Sequence, residues 1–449
     1  MLFLTRIGLA LAWLAGIVLT LVGVCKNDPL LTPLRGPVNL AIAIASLVLV
    51  AALLWRSDWR SRWAPRCLIV LWCLPTLSML GAELSFLLRK HAVLATEPAL
   101  ARTLGQHFVV GYTSFDEVAR LAEKGLIGGV YVTKHNVAGR PIEAVKAELS
   151  ALQDRRRAAG LPPLMISADQ EGGVVSHLSP LLNAMPALAT LAELPHTERV
   201  RKAEELGRTQ GREMVALGIN TNFSPVLDLR PETKQAGFDL NTLIERRAIS
   251  GDPAVVADIG LAYVQGLEAS GVSATVKHFP GLGRVHSDTH LFSAELATPR
   301  DVLEASDWRP FKDVLAGSHA HLMVGHVSLS AIDPGRPASH SKAVIDGIIR
   351  NQWHYNGVII TDDFVMGAIY GHGVCTAVVE ALNAGVDLLL VAFDGAQFYR
   401  IFTCASDAAA QGRLDNAALR ASEARLQANV PGGPRASISL NTAAQPAGE

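Results

Sequence analysis

The sequence predicts an α/β protein, a (β/α)8 TIM-type barrel preceded by an N-terminal α-helical transmembrane region. Apolar residues concentrate in three long runs within residues 1–91 of the 449-residue chain. Beyond residue 100, eight short apolar runs alternate with amphipathic stretches of helical length, as in a parallel sheet with covering helices. Charged or polar residues follow most of these short runs, at the strand ends where barrel enzymes carry their chemistry.

The three long runs predict a membrane region of about three transmembrane helices over residues 1–91. The runs cover 7–24, 38–55 and 67–88, and a helix needs about 20 apolar residues to cross a bilayer. The loop between the second and third runs is cytoplasmic under the positive-inside rule, because it carries Arg56, Arg60, Arg62 and Arg66. We therefore expect a multi-pass protein of the inner or plasma membrane, in contact with the lipid bilayer, with its soluble part on the outer, periplasmic side. Arg89 and Lys90 favour the opposite orientation, and the first run alone would also fit a cleaved signal peptide.

The rest of the chain divides into a linker at 92–104, a barrel domain at 105–430 and a disordered tail at 431–449. A net charge of −1 argues against nucleic acid as a partner. Cys375 and Cys404 are the cysteines of the barrel domain, so one disulfide could form there, and no metal-binding cysteine spacing is present.

The eight short runs are predicted to be the strands of the barrel. They begin near residues 108, 128, 164, 220, 273, 321, 357 and 388. An open, doubly wound sheet is the alternative, but no glycine-rich phosphate-binding loop follows the first run.

Six of the runs end in, or are followed by, side chains that can do chemistry. These residues are Asp169, Asp228, Lys277 with His278, His326, Asp362 and Asp394. Any one of them could be an ordinary helix N-cap. Because the carboxyl ends of barrel strands meet on one face, we expect the six to share a site.

Metal-dependent hydrolysis is one interpretation of this site. The stretch HSDTH at 286–290 places His286, Asp288 and His290 on alternate residues, and Asp362 and His326 could complete a ligand set. Acyl transfer is discounted, because the chain has no G-x-S-x-G elbow and neither barrel cysteine follows a strand.

Glycoside hydrolysis with retention is the other interpretation. It requires a carboxylate nucleophile below the anomeric carbon and a proton donor above the leaving oxygen. Asp362, at the end of the seventh run, is the nucleophile candidate, and Asp363 beside it could cap a helix. His290 could donate the proton from a glycine-containing loop, with Asp288 orienting its ring and stabilising the charged form.

The chain from about residue 105 to 394 resembles glycoside hydrolase family 3, in particular the bacterial β-N-acetylhexosaminidase (β-N-acetylglucosaminidase) type. The resemblance rests on the order and spacing of several motifs. These are SADQEGG at 167, GINTNFSPVLDL at 218, KHFPGLG at 277 followed by SDTH at 287, HVSLSAIDP at 326, and GVIITDDFVMGAI at 357.

The resemblance implies a retaining exo-β-N-acetylglucosaminidase that removes terminal N-acetylglucosamine from peptidoglycan-derived fragments, with neither a cofactor nor a metal. Asp362 would form the glycosyl-enzyme, and His290 with Asp288 would be the acid/base pair. The sugar would be bound by Asp169, Arg247, Lys277, His278 and His177.

Four positions depart from the family pattern, and they concern the aglycone rather than the chemical core. Leu282 replaces a second histidine, Val174 and His177 stand where arginines are usual, and Glu245 replaces a glycine. A non-catalytic sugar sensor displayed on a membrane is the alternative from a different functional class. Phosphorolysis is an alternative within the enzyme class, because a histidine acid/base tolerates an approaching anion better than a carboxylate does.

Overall fold

The computed structural model describes residues 2–56, 63–231, 242–285, 288 and 293–430. Of the predicted site residues, His286 and His290 lie outside the described residues, as does the predicted tail at 431–449. The chain divides into two compact units, Met1–Ala95 and Thr96–Glu449.

The first unit is built from three long helices, α1 (Leu2–Val24), α2 (Pro37–Arg56) and α3 (Trp63–Leu94), with a 3-10 turn at Pro29–Leu34. Three segments of these helices, Ile7–Val24, Pro37–Trp55 and Trp63–Leu94, are long and apolar enough to cross a membrane by length and composition. Within the unit, the indole of Trp72 donates a hydrogen bond to the carbonyl of Ala12 (3.1 Å). Glu83, the acidic residue of the third predicted run, forms an ion pair with Lys26.

The second unit contains the remaining helices and all the strands of the described residues. The helices are α4 (Pro98–Gly105), α5 (Phe115–Glu123), α6 (Lys134–Val137), α7 (Ile142–Ala158), α8 (His196–Leu217), α9 (Ile244–Arg247), α10 (Pro253–Ala269), α11 (Arg300–Ala305), α12 (Arg309–Ala316), α13 (Gly367–His372), α14 (Val374–Ala384), α15 (Phe398–Ala410) and α16 (Asn416–Ala428). A π-helix covers Ala343–Gln352, and 3-10 turns cover Leu188–Leu191, Ala338–His340 and Gly395–Gln397.

The strands of this unit are β1 (Phe108–Gly111), β2 (Gly129–Tyr131), β3 (Met165–Ala168), β4 (Gln170–Gly172), β5 (Val175–Ser176), β6 (Thr221–Asn222), β7 (Ser273–Phe279), β8 (Ala294–Leu296), β9 (His321–Val324), β10 (Val327–Leu329), β11 (Ile359–Asp363) and β12 (Leu388–Val391).

Eight of these strands close into a parallel barrel, in the order β1-β12-β11-β9-β7-β6-β3-β2. The register pairs Phe108 with Leu389 across the closure and Ile359 with Leu322 between β11 and β9. The predicted eight-stranded barrel is therefore confirmed. Outside the barrel, β4 and β5 form an antiparallel hairpin, and β8 pairs with β10 in parallel.

The barrel is held by a buried apolar cluster drawn largely from its strands, as expected of a packed (β/α)8 core. The cluster contains Val109, Tyr131, Met165, Phe223, Met323, Val358, Ile360, Leu388, Leu390 and Ala392. This rigid core fixes the positions of the residues that follow each strand.

The segment at 92–104, which the sequence predicts to be a linker, is mostly helical. Helix α3 continues to Leu94, and α4 begins at Pro98. The carboxylate of Glu97 caps α4 by accepting from the Leu100 amide (3.0 Å), and proline suits the first helical turn. Leu104 is buried. The short apolar face of this helix was too small to be recognised as periodic.

A disulfide joins Cys375 in α14 to Cys404 in α15, the pairing that the sequence left open.

Candidate active site

A network of buried charges lies at the carboxyl ends of β3 and β7. Lys277 donates to the carboxylate of Asp169 and to Oε1 of Glu171 (2.8 Å). Arg247 donates two parallel hydrogen bonds to the same Glu171 carboxylate, from Nη2 to Oε1 at 2.6 Å and from Nε to Oε2 at 2.9 Å. The most exposed of the four side chains is Asp169 at 19%. The two anions and two cations thus neutralise one another at a place where water has little access to stabilise their charges.

Every member of this network is held in its charged form. Burial alone would raise the pKa of the Asp169 and Glu171 carboxyls, but the adjacent Lys277 and Arg247 hold both pKa values below their usual range. Burial opposes the charge on Lys277 as well, yet Asp169 and Glu171 raise its pKa above the ordinary value. The result is a fixed, fully ionised set of hydrogen-bonding groups, which is suited to recognising a polyhydroxylated ligand.

Tyr131 and His177 extend the network on the Asp169 side. The Tyr131 hydroxyl donates to the Asp169 carboxylate and lies 3.1 Å from Nδ1 of His177. Its ring stacks on Phe223, with centroids 5.7 Å apart. The β4–β5 hairpin returns the chain so that the His177 amide donates to the Asp169 carbonyl (2.9 Å). The structure therefore brings His177 to the same cluster as Asp169.

His278 is oriented by Asp228, a strand-end residue to which the sequence assigned no specific role. Nδ1 of His278 lies 2.7 Å from Oδ2 of Asp228, and Oδ1 of Asp228 accepts from the Leu282 amide (2.7 Å). On the opposite edge of the ring, Nε2 lies 3.4 Å from Nη2 of Arg247. Because a guanidinium only donates, Nε2 accepts and Nδ1 carries the proton toward Asp228. His278 thus presents one defined tautomer beside the charged network.

Asp362 and Asp363 end β11, the seventh strand of the barrel along the chain. The Asp363 amide donates to Oδ1 of Asp362 (2.8 Å). The Asp363 carboxylate accepts from three backbone amides, those of Val365 (3.1 Å), Ala392 (2.9 Å) and Phe393 (2.8 Å). Two of these amides belong to the segment that follows β12. The prediction that Asp363 serves as a helix cap is therefore wrong. Its carboxylate links the end of β11 to the segment after β12, because the two strands are neighbours in the barrel.

Burial raises the pKa of Asp363 to about 6. The three backbone amides lower the pKa, and the nearby charge of Asp362 raises it. The Asp363 carboxylate, which links β11 to the segment after β12, therefore changes its charge near pH 6.

His326 supports the same strand end from β9's side of the barrel. Its Nε2 lies 3.0 Å from the Asp363 carbonyl, and its Nδ1 lies 2.7 Å from Oγ of Ser339. Since a carbonyl accepts, Nε2 carries the proton. Asp363 is thus held by His326, which follows β9, and by two amides that follow β12. These contacts also fix the position of Asp362, the residue before it.

The loop that carries the predicted proton donor is described only in part. Asp288 is buried, and its Oδ1 lies 3.5 Å from Oγ1 of Thr242. His290 and His286 lie outside the described residues, so the His290–Asp288 pair and the alternative metal set both stay predictions.

Apart from His177, which lies beside Asp169, the departures from the family pattern lie in different surroundings. Leu282 is buried, and its amide donates to Asp228. Val174, between β4 and β5, is 44% exposed, and Glu245 is exposed in α9. Val174 and Glu245 can therefore be reached from solvent.

Two members of the network, Glu171 and Tyr131, were missed by the sequence analysis. Glu171 lies two residues beyond Asp169 in SADQEGG. An acidic side chain directly before a pair of glycines is the sequence feature that could have identified it as a site residue. Tyr131 is the last residue of β2, and its position at the end of a strand could have identified it in the same way as Asp169. Asp394 is also a strand-end residue, and its carboxylate accepts from Gln397 (2.8 Å).

Comparisons with known proteins agree with the fold and the motifs. Residues 99–428 match the model of the glycosyl hydrolase family 3 N terminal domain. A protein of Nitrosomonas eutropha named beta-hexosaminidase is 33% identical over 273 residues, which cover 60% of this chain and 74% of that protein. A beta-hexosaminidase of Xanthomonas campestris pv. campestris is 37% identical over 270 residues, covering 59% of this chain and 77% of the relative.

A solved structure described as a glycoside hydrolase family 3 beta-N-acetylglucosaminidase, from Paenibacillus sp. str. FPU-7, superposes with a TM-score of 0.66 at 30% identity. The superposition covers 76% of this chain and 65% of that one. The predicted resemblance to family 3 enzymes of the β-N-acetylhexosaminidase type is confirmed. The eight-stranded barrel, its motifs and the match over residues 99–428 show that the chain is a glycoside hydrolase and belongs to glycoside hydrolase family 3.

Proposed function

We propose that the protein is a retaining exo-β-N-acetylglucosaminidase that removes terminal N-acetylglucosamine from peptidoglycan-derived fragments. The observation that carries the proposal is the fixed position of Asp362 at the end of β11, in a barrel whose face also holds the ionised Asp169–Lys277–Glu171–Arg247 network. The relatives named beta-hexosaminidase support the class of sugar.

In the first step, the Asp362 carboxylate attacks the anomeric carbon while the bond from that carbon to the aglycone oxygen breaks. His290 gives its proton to the departing oxygen, and the sugar becomes an ester of Asp362. In the second step, water attacks the anomeric carbon, His290 accepts a proton from the water, and the carboxylate leaves. Two inversions restore the original configuration.

The rigidity of Asp363 supports the role of Asp362. A nucleophile works efficiently when it is held close to its attack position, because the cost of orientation is met before the reaction. The three amides that hold Asp363, and His326 at its carbonyl, limit the movement of the residue next to Asp362.

The ionised network supports recognition of the sugar. Asp169 and Glu171 are acceptors for sugar hydroxyls, whereas Lys277, Arg247 and His278 can serve hydroxyl or acetamido oxygens. His177 lies beside Tyr131 and Asp169, which supports its inclusion among the sugar-binding residues. Because the charged partners are already ordered, little rearrangement is needed when the sugar binds.

Two features favour a location outside the cytoplasm. The three apolar helices could hold the chain in the inner membrane, with the barrel on the periplasmic side as the arginine pattern predicts. The Cys375–Cys404 disulfide belongs to the barrel unit, and disulfides persist mainly in oxidising compartments. A C-terminal reporter active only outside the cytoplasm tests this orientation, and activity of a cytoplasm-specific reporter would contradict it.

Hydrolysis is tested with the full chain in detergent and 4-nitrophenyl β-N-acetylglucosaminide. We expect release of the chromophore, and a loss of about 10⁴-fold or more in kcat for Asp362→Ala. Asp154→Ala is the matched control, because Asp154 is a surface residue that is 60% exposed and pairs with the nearby Arg157. An Asp362→Ala variant as active as the control contradicts the assignment. A rate that rises with added phosphate, with formation of a sugar 1-phosphate, identifies phosphorolysis instead.

A further inference from the structure

We propose that His340, His372 and Glu380 form a binding site for a divalent metal ion of the Zn²⁺ type, apart from the residues assigned to the sugar chemistry. One ligand atom from each of the three side chains lies within 4.8 Å of the other two. Nε2 of His372 is 3.0 Å from Oε2 of Glu380, and the two imidazole rings have centroids 4.7 Å apart. Donors this close could converge on one ion after small side-chain rotations.

The buried nitrogen of His340 is the feature that calls for a ligand. The residue is 1% exposed, and within the described part of the chain its Nε2 has no hydrogen-bond partner. A buried polar atom without a partner is destabilising, and nearly all such atoms in folded proteins are satisfied. An ion held between this nitrogen, His372 and Glu380 would supply the missing interaction.

A chain of hydrogen bonds gives His340 the tautomer that metal binding requires. With His326 neutral, its Nε2–H donates to the Asp363 carbonyl, so its Nδ1 must accept from the Ser339 hydroxyl (2.7 Å). Oγ of Ser339 can then accept only from Nδ1–H of His340, 3.2 Å away. The proton of His340 is thereby fixed on Nδ1, and Nε2 keeps its lone pair. Metal-binding histidines are commonly oriented in this way by a partner at the other nitrogen.

Two imidazoles and a carboxylate form a donor set that suits Zn²⁺. His372 and Glu380 are each 24% exposed, so a fourth position can be taken by water from the solvent side. Arg336 donates to the other carboxylate oxygen of Glu380 (Nε to Oε1, 2.9 Å). The carboxylate is therefore oriented by a second partner, as is typical around metal ligands.

The site would join segments that follow two neighbouring barrel strands. His340 ends the 3-10 turn Ala338–His340, in the segment that follows β9, whereas His372 ends α13, after the neighbouring β11, and Glu380 lies in α14. Through Ser339 and His326, the same hydrogen bonds reach the carbonyl of Asp363. A bound ion would hold these segments together on the side of the barrel that carries Asp362. The inference does not depend on which sugar is cleaved.

Zinc binding is tested on the full chain in detergent, without a histidine tag, after treatment with a chelator. Zn²⁺ is titrated in competition with a chromogenic chelator, and the melting temperature is recorded with and without Zn²⁺. We expect one tightly bound Zn²⁺ per chain and a higher melting temperature. Changes to partners outside the ligand shell already cost about 10–100-fold in affinity, so His372→Ala and Glu380→Gln should each cost about 100-fold or more.

The control is His354→Asn, which removes an exposed histidine that has positive φ (53°), a conformation that asparagine tolerates. Its zinc affinity should equal that of the wild type. His372 and Glu380 are partly exposed, so their variants are expected to fold, and an unchanged melting temperature without zinc verifies this. Absence of stoichiometric binding, or equal affinity in His372→Ala and His354→Asn, overturns the proposal. So does zinc binding that is lost in His286→Ala but kept in His372→Ala.

Discussion

Arg247 and Glu171, 76 residues apart in the chain, meet in a two-pronged ion pair whose side chains are 9% and 7% exposed. Lys277 shares the same carboxylate at 2.8 Å. Because the pair is buried, the loss of one charge leaves the others without compensation.

Replacing Glu171 should therefore destabilise the fold as well as the site. We expect Glu171→Gln to reduce the free energy of unfolding by about 3–5 kcal/mol, since it leaves two buried cations facing one anion. Glu204→Gln is the matched control: it breaks the exposed pair with Arg208 and should cost under about 1 kcal/mol. Urea unfolding followed by tryptophan fluorescence measures both. Equal costs for the two variants would contradict the claim that Glu171 compensates two buried cations.

The raised pKa of Asp363 predicts an acidic limb in the activity profile. As the pH falls through about 6, Asp363 becomes protonated. The hydrogen bonds that its carboxylate accepts from the amides of Ala392 and Phe393 then weaken. We expect kcat/KM to fall below about pH 6, with Asp362 less firmly positioned. The measurement is a pH series on the 4-nitrophenyl substrate, with Asp363→Asn as the comparison. An acidic limb that is identical in Asp363→Asn would assign it to another group.

Unfolding does not explain this acidic limb if Asp363 is its source. Its folded-state pKa of about 6 lies above the 3.8 of an ordinary aspartate side chain, so the folded state binds the proton more tightly than the unfolded state does. Stability contributed by this group therefore rises as the pH falls from about 6 toward 4. Melting temperatures recorded across the same pH series separate the loss of activity from the loss of fold.

Asp228 should act on the sugar only through His278. Asp228→Asn replaces the acceptor at Nδ1, so the ring loses the partner that fixes its tautomer beside Arg247. We expect about a tenfold or greater rise in KM for Asp228→Asn, and a similar rise for His278→Ala, because each variant loses a hydrogen bond that involves a charged group. In the double variant the two effects should not add, because they remove the same interaction. Additive losses in this mutant cycle would show that Asp228 acts independently.

Removal of bound metal should leave the sugar chemistry intact. The proposed reaction uses Asp362 and His290, whereas the proposed zinc ligands are His340, His372 and Glu380. After chelation we expect an unchanged initial rate on the 4-nitrophenyl substrate, together with a lower melting temperature. A rate that is lost on chelation and restored by Zn²⁺, even in His372→Ala, would instead support the HSDTH ligand set at 286–290.

The strands could be predicted well because a short buried strand leaves a local signal. The runs expected near 108, 273, 321 and 388 begin at the first residues of β1, β7, β9 and β12. Asp362 was recognised for the same reason, since it ends such a run. Strand order in the barrel was also implied, because parallel strands joined by helices are added side by side.

The partners of the site residues could not be predicted, because they depend on contacts across the barrel. Lys277 pairs with Asp169 from 108 positions away, and Asp363 meets amides that follow β12. A carboxylate after a strand has the local pattern of a helix cap, so Asp363 was misassigned. The cluster of His340, His372 and Glu380 has no local spacing at all, and only the folded chain brings it together.

Trapping the covalent intermediate tests the central claim most directly. A 5-fluoro glycosyl fluoride of N-acetylglucosamine slows both steps, so that an ester on the nucleophile accumulates. The full chain is incubated with this reagent, digested with pepsin at acidic pH and mapped by mass spectrometry. The account predicts one sugar per chain, on Asp362, and none in Asp362→Asn. A label on any other residue, or hydrolysis with inversion and no label, would contradict it.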